Sequence, residues 1–380
     1  MVLNNSQKAF FALLQAGLWE DDSVSDFKTQ VSSGVDWSEV QRLAEEQSVV
    51  GLVASGIDVY KANVPDLKIA KADALKFIGQ TIQLEQRNQA MNYFIGVLTD
   101  KINEADIGAV LMKGQGVAQC YERPLWRACG DVDLLTDAAN YEKAKDFLTP
   151  LAVSVDEEDP HNKHLGMTIG PWVVELHGTL RSLLWKNVER TVDDVQRAIF
   201  AGGKVRTWQN GETSVLLPGV DEDAFYIFIH FVAHFFKGGI GLRQICDWCR
   251  LLRTYRMDID ATLLENRLQS AGLMTEWNAF AALAVEYLGM PVDTMPLYSP
   301  DARWRNKASS IMAIILETGN FGHNRDASYY YERGFLVRKA ISFWRYTCDS
   351  VKHFLIFPKD ATKVWLNRFI QSILVAAKGL

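Results

Sequence analysis

Apolar residues recur with a helical period over roughly the first hundred positions. Ser6-Gln-Lys-Ala-Phe-Phe-Ala-Leu-Leu shows it first. Trp37 to Ile57 follows, where Trp37, Val40, Leu43, Ala44, Val49 and Val50 can share one face. From Asp66 to Ala105 only Gly79 and Gly96 interrupt a proline-free stretch rich in Lys, Gln, Leu and Ala, which predicts one or two long helices. The texture changes at Ile107. Ile107-Gly-Ala-Val-Leu-Met112 is a short apolar run closed by the turn Lys113-Gly-Gln-Gly116, the pattern of a buried strand leading into a helix. Gly130-Asp-Val-Asp-Leu-Leu135 alternates acidic and apolar positions, the period of a strand. Asn140 to Leu148 predicts a helix, and His164–Gly170 with Trp172–Leu176 predicts a hairpin about Gly170-Pro171. Helical periodicity resumes at Asp221. It runs through Phe225–Phe236, Leu242–Tyr255, Ala261–Gly289 and Arg303–Leu380, with breaks near Gly319-Asn-Phe-Gly322 and at Pro358. The pattern predicts an α+β protein. Its small mixed-sheet core, at residues 106–220, is flanked by an N-terminal helical region (1–105) and a C-terminal one (221–380).

Composition narrows this picture modestly. The chain has 380 residues, 48% hydrophobic and 23% charged, so it can bury a core without disulfide support. Five scattered cysteines argue for a reducing, cytoplasmic setting. The opening residues lack the layout of a signal peptide, and no run of 18 apolar residues predicts a membrane span. A net charge of −6, from 40 Lys+Arg and 46 Asp+Glu, predicts no binding of duplex nucleic acid. Residues 333–380 differ, with nine Lys/Arg against two Asp/Glu and the aromatics Phe343, Trp344, Tyr346, Phe354, Phe357, Trp365 and Phe369. Three readings fit this stretch: peripheral contact with an anionic membrane surface, binding of an anionic polymer such as RNA or a glycan, or a helical subdomain with its aromatics turned inward.

The chemistry concentrates between Met112 and His177. On a strand, Asp131 and Asp133 project to one side while Val132 and Leu134 face the other. Two adjacent carboxylates repel unless a positive charge joins them, and Mg²⁺ is the obvious partner for carboxylate oxygens. Glu175, on the second strand of the predicted hairpin, can complete a two-metal clamp if that strand lies beside the aspartates. The glycine-rich turn offers backbone N–H groups to a phosphate, and Lys113, Arg123 and Arg127 offer charge.

Other motifs have plainer readings. His230 and His234 have a zinc-compatible spacing on a helix, but no Glu follows His230, so a buried pair or a pocket wall competes with zinc. His177 shares a strand face with Glu175 and can support it. Cys246-Asp-Trp-Cys249 lies within a helical pattern, which predicts core packing rather than redox chemistry. Arg243 and Asp247, four apart on that helix, predict an ion pair.

The run LMKGQGVAQCYERPLWRACGDVDLLT, residues 111–136, resembles the catalytic signature of the DNA polymerase β-like nucleotidyltransferase superfamily. It is most similar to the branch of uncharacterised nucleotidyltransferases. Further likenesses are Val174-Glu-Leu-His177, Phe228-Ile-His230-Phe-Val-Ala-His234, Leu242-Arg-Gln-Ile-Cys-Asp-Trp248 and Glu317-Thr-Gly-Asn-Phe-Gly-His323, so the resemblance covers about residues 105–325. The resemblance implies Mg²⁺-dependent transfer of a nucleoside monophosphate from an NTP to a hydroxyl on a small molecule, sugar or protein. It also implies an association with polysaccharide production. Asp131, Asp133 and Glu175 would be the catalytic, metal-holding acids. Gly114 and Gln115 would form the phosphate turn, and Lys113, Arg123, Arg127, His177, His230, His234 and Arg243 would contact substrate. The alternative is a non-catalytic binding or regulatory module that keeps the fold.

Overall fold

The computed structural model describes residues 2–20, 34–63, 69–159, 162–182, 184–320 and 334–377. Four helices come first: α1 (Asn5–Trp19), α2 (Trp37–Glu46), α3 (Val50–Asn63) and α4 (Lys71–Glu104). Helix α1 starts where a capping box forms. Asn4 Oδ1 accepts from the Gln7 backbone N–H, and Gln7 Oε1 accepts from that of Asn4. The periodic stretch from Trp37 to Ile57 is two helices rather than one, because Ser48 takes a positive φ of 56° between them. Helices α1 and α3 cross almost backbone to backbone. A Cβ on Gly56 would fall 1.9 Å from Leu13 O, and one on Gly17 would fall 1.8 Å from Leu52 O. Only glycine permits that approach.

The mixed sheet follows the predicted segments closely. Strand β1 (Ala109–Met112) leads into a short helix, α5 (Gly114–Ala118). Then come β2 (Asp131–Thr136), α6 (Asn140–Leu148), β3 (Ser154–Val155), β4 (His164–Ile169) and β5 (Trp172–His177). The strand order is β1-β2-β5-β4-β3, with β2 and β5 parallel and the other neighbours antiparallel. Alternation decides the two faces. Val132, Leu134, Val174 and Leu176 enter a core built with α4 and α6. Asp131, Asp133, Glu175 and His177 occupy the opposite face.

Besides the two-residue β3, a helix and a hairpin have no counterpart in the sequence reading: α7 (Lys186–Phe200), and β6 (Val205–Asn210) with β7 (Thr213–Pro218). The Asn210-Gly211 turn signals that hairpin, with Gly211 at φ 63°. Strand β7 lies against β1.

The remaining helices are α8 (Val220–Lys237), α9 (Leu242–Thr254), α10 (Ala261–Ala271), α11 (Met274–Leu288), α12 (Ala302–Thr318), α13 (Phe335–Ile356) and α14 (Pro358–Ala377). Gly272, left-handed at φ 73°, separates α10 from α11. Cys246 and Cys249 are fully buried free thiols in α9, as core packing requires. The N-terminal and C-terminal helices share one core, in which Phe10 and Leu13 belong to the same cluster as Phe228, Trp248 and Trp277. Gln47 ties these parts together. Its side chain donates to Ile315 O at 3.2 Å and accepts from the Leu242 N–H at 3.1 Å. In the basic C-terminal stretch the aromatics divide. Phe357 is buried, Trp344 is 69% exposed and Phe354 is 50% exposed. Among the described residues, no helix is long and apolar enough to cross a membrane. Within the resemblance at Glu317–His323, the last three residues lie outside the described residues.

Candidate active site

The parallel pairing of β2 with β5 sets Asp133 directly opposite Glu175 and Leu135 opposite His177. Asp131 lies two residues before Asp133, so three carboxylates rise from two neighbouring strands on one face. Lys113 stands at the end of β1, whose Met112 pairs with Asp133. Its backbone is unusual for a side-chain-bearing residue, with φ 50° and ψ −138°, and Gly114 follows at φ 44°. Such a conformation costs on the order of 1–3 kcal/mol and needs surroundings that enforce it. Here it carries Lys113 Nζ to 3.1 Å from Asp133 Oδ1.

Asp133 is almost fully buried, and a second group meets the same oxygen, because His177 Nε2 lies 3.0 Å away. Burial alone would raise the Asp133 carboxyl. The charge of Lys113 and the His177 contact outweigh it and hold the group below the usual carboxylate range. Burial likewise resists a charge on His177, but its bonds to Asp133 and Glu175 win and raise it. Glu175 is held well below its ordinary value by His164 and His177. Asp131 behaves oppositely. Burial first, then the negative charges of Asp133 and Glu175, push it up despite Lys113.

Two cavities open on this face and share Lys113 and His230. The smaller, about 60 Å³, is walled by Asp131, Asp133, Arg127, Arg243 and Asp247. The larger, about 270 Å³, is walled by His164, Glu175, His177, Tyr226, His234 and Lys237. Helix α8 covers the larger cavity with Tyr226, His230, Ala233, His234 and Lys237, spaced to form one helical face. Burial and nearby positive charge keep these histidines neutral. His230 is depressed well below its ordinary value and His234 is lowered to about 4.

Each residue expected at the site has a definite place. Asp131, Asp133, Glu175, Lys113, Gly114, Arg127, His177, His230, His234 and Arg243 line one or both cavities. Gln115 does not. Its side chain turns away and donates to Asn88 Oδ1, on α4, at 2.8 Å. With only five residues, α5 also adds little dipole to a phosphate turn. Arg123 is elsewhere too, paired with Glu20 and Asp58 and laid over the Trp126 ring. The Arg243–Asp247 pair expected on α9 is replaced by a pair across elements. Asp247 takes Arg127 at 2.5 and 3.0 Å and the Tyr121 hydroxyl at 2.8 Å. Arg243 donates to Ala128 O, and its buried Nε has no hydrogen-bond partner among the described residues.

Sequence reasoning missed His164, Tyr226 and Asn88. His164 faces His177 across β4 and β5, a register that the two-residue turn at Gly170-Pro171 fixes and that could have revealed the pair. Asn88 is fully buried in α4 and donates to Leu125 O and Arg127 O, fixing the loop before β2.

The donor set suits a hard divalent cation. Asp131, Asp133 and Glu175 share one face of the sheet, and burial first, then the charges of Asp133 and Glu175, raise the Asp131 carboxyl despite Lys113. A mixed sheet with paired acids on adjacent strands and a lysine-glycine turn defines a nucleotidyltransferase-like class. The chain belongs to the family described as uncharacterised nucleotidyltransferase, whose sequence model matches residues 33–289. That span begins among the N-terminal helices and ends before the Glu317–His323 stretch, so it is shifted from the 105–325 resemblance. No curated protein matches. Among solved structures, an antigenic nucleotidyltransferase-like protein from Paracoccidioides brasiliensis is similar at 15% identity. The match covers 49% of this chain and 90% of that one, with a TM-score of 0.30.

Proposed function

We propose that this protein transfers a nucleoside monophosphate from an NTP to a hydroxyl acceptor, with Asp131, Asp133 and Glu175 as its Mg²⁺-holding acids. The observation that carries this reading is the register of β2 and β5, which faces Asp133 with Glu175 and keeps Asp131 on the same side. When bound, Mg²⁺ would neutralise phosphate charge and lower the pKa of the attacking hydroxyl. The chain's own residues bind and orient the reactants. Arg243, which no carboxylate pairs among the described residues, lines the smaller cavity as a partner for phosphate oxygens. Arg127 is held rigid by Asp247 beside it. Lys113 and His230 line both cavities, so a substrate in the smaller meets Asp131 and Asp133 while one in the larger meets Glu175 on the adjoining strand. The acceptor oxygen bonds to the α-phosphorus, the bond to the bridging oxygen breaks, and pyrophosphate leaves. The hydroxyl proton leaves to solvent through the larger cavity.

A second reading, a binding module without turnover, is favoured by one observation: Lys113 and His177 both already engage Asp133 Oδ1. One experiment separates the two. A panel of labelled NTPs with Mg²⁺ is screened for pyrophosphate release, and a fluorescent ATP analogue reports binding. The enzyme reading expects both signals, each abolished in Asp131→Ala and Asp133→Ala proteins that keep wild-type circular dichroism. Binding without release supports the module. Unchanged nucleotide binding in both variants defeats the site assignment.

A further inference from the structure

The larger cavity carries a donor set that three carboxylates do not explain. His164 and His177 are directly paired across β4 and β5, and Glu175 precedes His177 by two residues on the same face. The His164 Nε2, Glu175 Oε2 and His177 Nε2 atoms approach one another closely. Donor atoms of the three side chains lie within 4.8 Å of one another, the one such group of three among the described residues. Glu175 Oε2 is 3.4 Å from His164 Nε2 and 3.5 Å from His177 Nε2. A good N–H···O bond spans about 2.7–3.2 Å, so both contacts are long for hydrogen bonds. Two donors held about 2.0–2.2 Å from one ion at a tetrahedral angle are about 3.3–3.6 Å apart, which is the spacing observed. The site is also open on one side, onto a cavity of about 270 Å³.

We infer that His164, Glu175 and His177 form a cation site of mixed nitrogen and oxygen donors, selective for a transition ion such as Mn²⁺, Co²⁺ or Zn²⁺ over Mg²⁺. Two imidazoles among three ligands set that preference, since Mg²⁺ seeks oxygen donors and holds its water while imidazole suits first-row transition metals. Asp133 Oδ1, 3.0 Å from His177 Nε2, lies at the edge of this site and links it to Asp131. The inference rests on the proposed transfer reading for its role, because it names the metal class of the position shared with Glu175. Binding of the ion itself does not require nucleotide.

The test uses the full chain, stripped of metal by chelation. Co²⁺ is titrated in by visible absorption and calorimetry, with millimolar Mg²⁺ present. One Co²⁺ per chain is expected, with ligand-field bands intensified over those of the aqueous ion. His164→Ala and His177→Gln should each weaken Co²⁺ binding at least about tenfold, whereas Glu265→Gln on α10, away from both cavities, should leave it within about twofold. Circular dichroism identifies which variants fold, and either folded histidine variant suffices. A wild-type titration with no saturable band overturns the inference, and so does wild-type Co²⁺ affinity in a folded histidine variant. Mg²⁺-dependent binding of a fluorescent ATP analogue is measured on the same proteins. Its loss with Co²⁺ binding intact fails the transfer reading alone, and the converse fails the metal assignment alone.

Discussion

Lys113→Met removes the positive charge that meets the acid cluster, and its consequence can be worked out from the site. In the native protein Lys113 Nζ lies 3.1 Å from a carboxylate that is 3% exposed. Stripping one partner from a buried pair costs about 3–5 kcal/mol. Two features reduce that here. His177 remains on the same oxygen at 3.0 Å. Asp133 can also take up a proton, which at pH 7 costs about 4 kcal/mol from an ordinary aspartate value near 3.9 and so caps the penalty. A loss of about 2–4 kcal/mol follows. The sign with pH is fixed. Asp133 titrates below its ordinary value in the folded protein, so its contribution is present above the unfolded pKa and disappears as pH falls through the folded one. The variant raises that carboxyl and forfeits the contribution. The gap between wild type and variant should therefore be widest near neutrality and close below about pH 4. Urea unfolding by tryptophan fluorescence, in chelator at several pH values, measures it. Mg²⁺ should then recover more stability in the variant than in wild type, since a divalent ion substitutes for the missing charge. Equal stability at pH 7, or a gap that ignores pH, would refute the claim that Lys113 offsets repulsion among these acids.

Three further outcomes are expected. Arg127→Met leaves Asp247 buried without its cation and should cost about 3–5 kcal/mol in urea unfolding, while Arg127→Met with Asp247→Leu recovers most of that loss. Gly56→Ala forces a Cβ to within 1.9 Å of Leu13 O and should destabilise the chain by about 1–3 kcal/mol or more by calorimetry, an unchanged melting temperature refuting the close crossing. Glu276 is fully buried, and burial followed by the nearby Asp360 raises its carboxyl well above the usual range. Such a group loses stability as pH rises through its unfolded value, so Glu276→Gln should match wild type near pH 4 and exceed it at pH 8.

Local period was enough to identify most elements. Acidic-apolar alternation marked β2, and a proline-free helical pattern marked α4. Helix α7 and the β6–β7 hairpin were passed over, although the Asn210-Gly211 turn was a readable signal for the second. The one long stretch from Trp37 was cut at Ser48 by a backbone angle that no side-chain pattern announces.

The site divides along the same line. The sequence by itself determined that Asp131 and Asp133 share a side and that Val132 and Leu134 do not, because side-chain alternation is a property of any extended chain. It also determined that α8 offers His230 and His234 on one face. Only the tertiary structure decided that β5 lies parallel to β2 in the register that sets Glu175 against Asp133, whereas the Gly170-Pro171 turn already aligns His164 with His177. Only packing sent Arg127 to Asp247, Arg123 to the surface pairs with Glu20 and Asp58, and the Gln115 side chain to Asn88. The β2–β5 register and the choice of distant partners follow from burial summed over residues far apart in the chain, so no local window carries them.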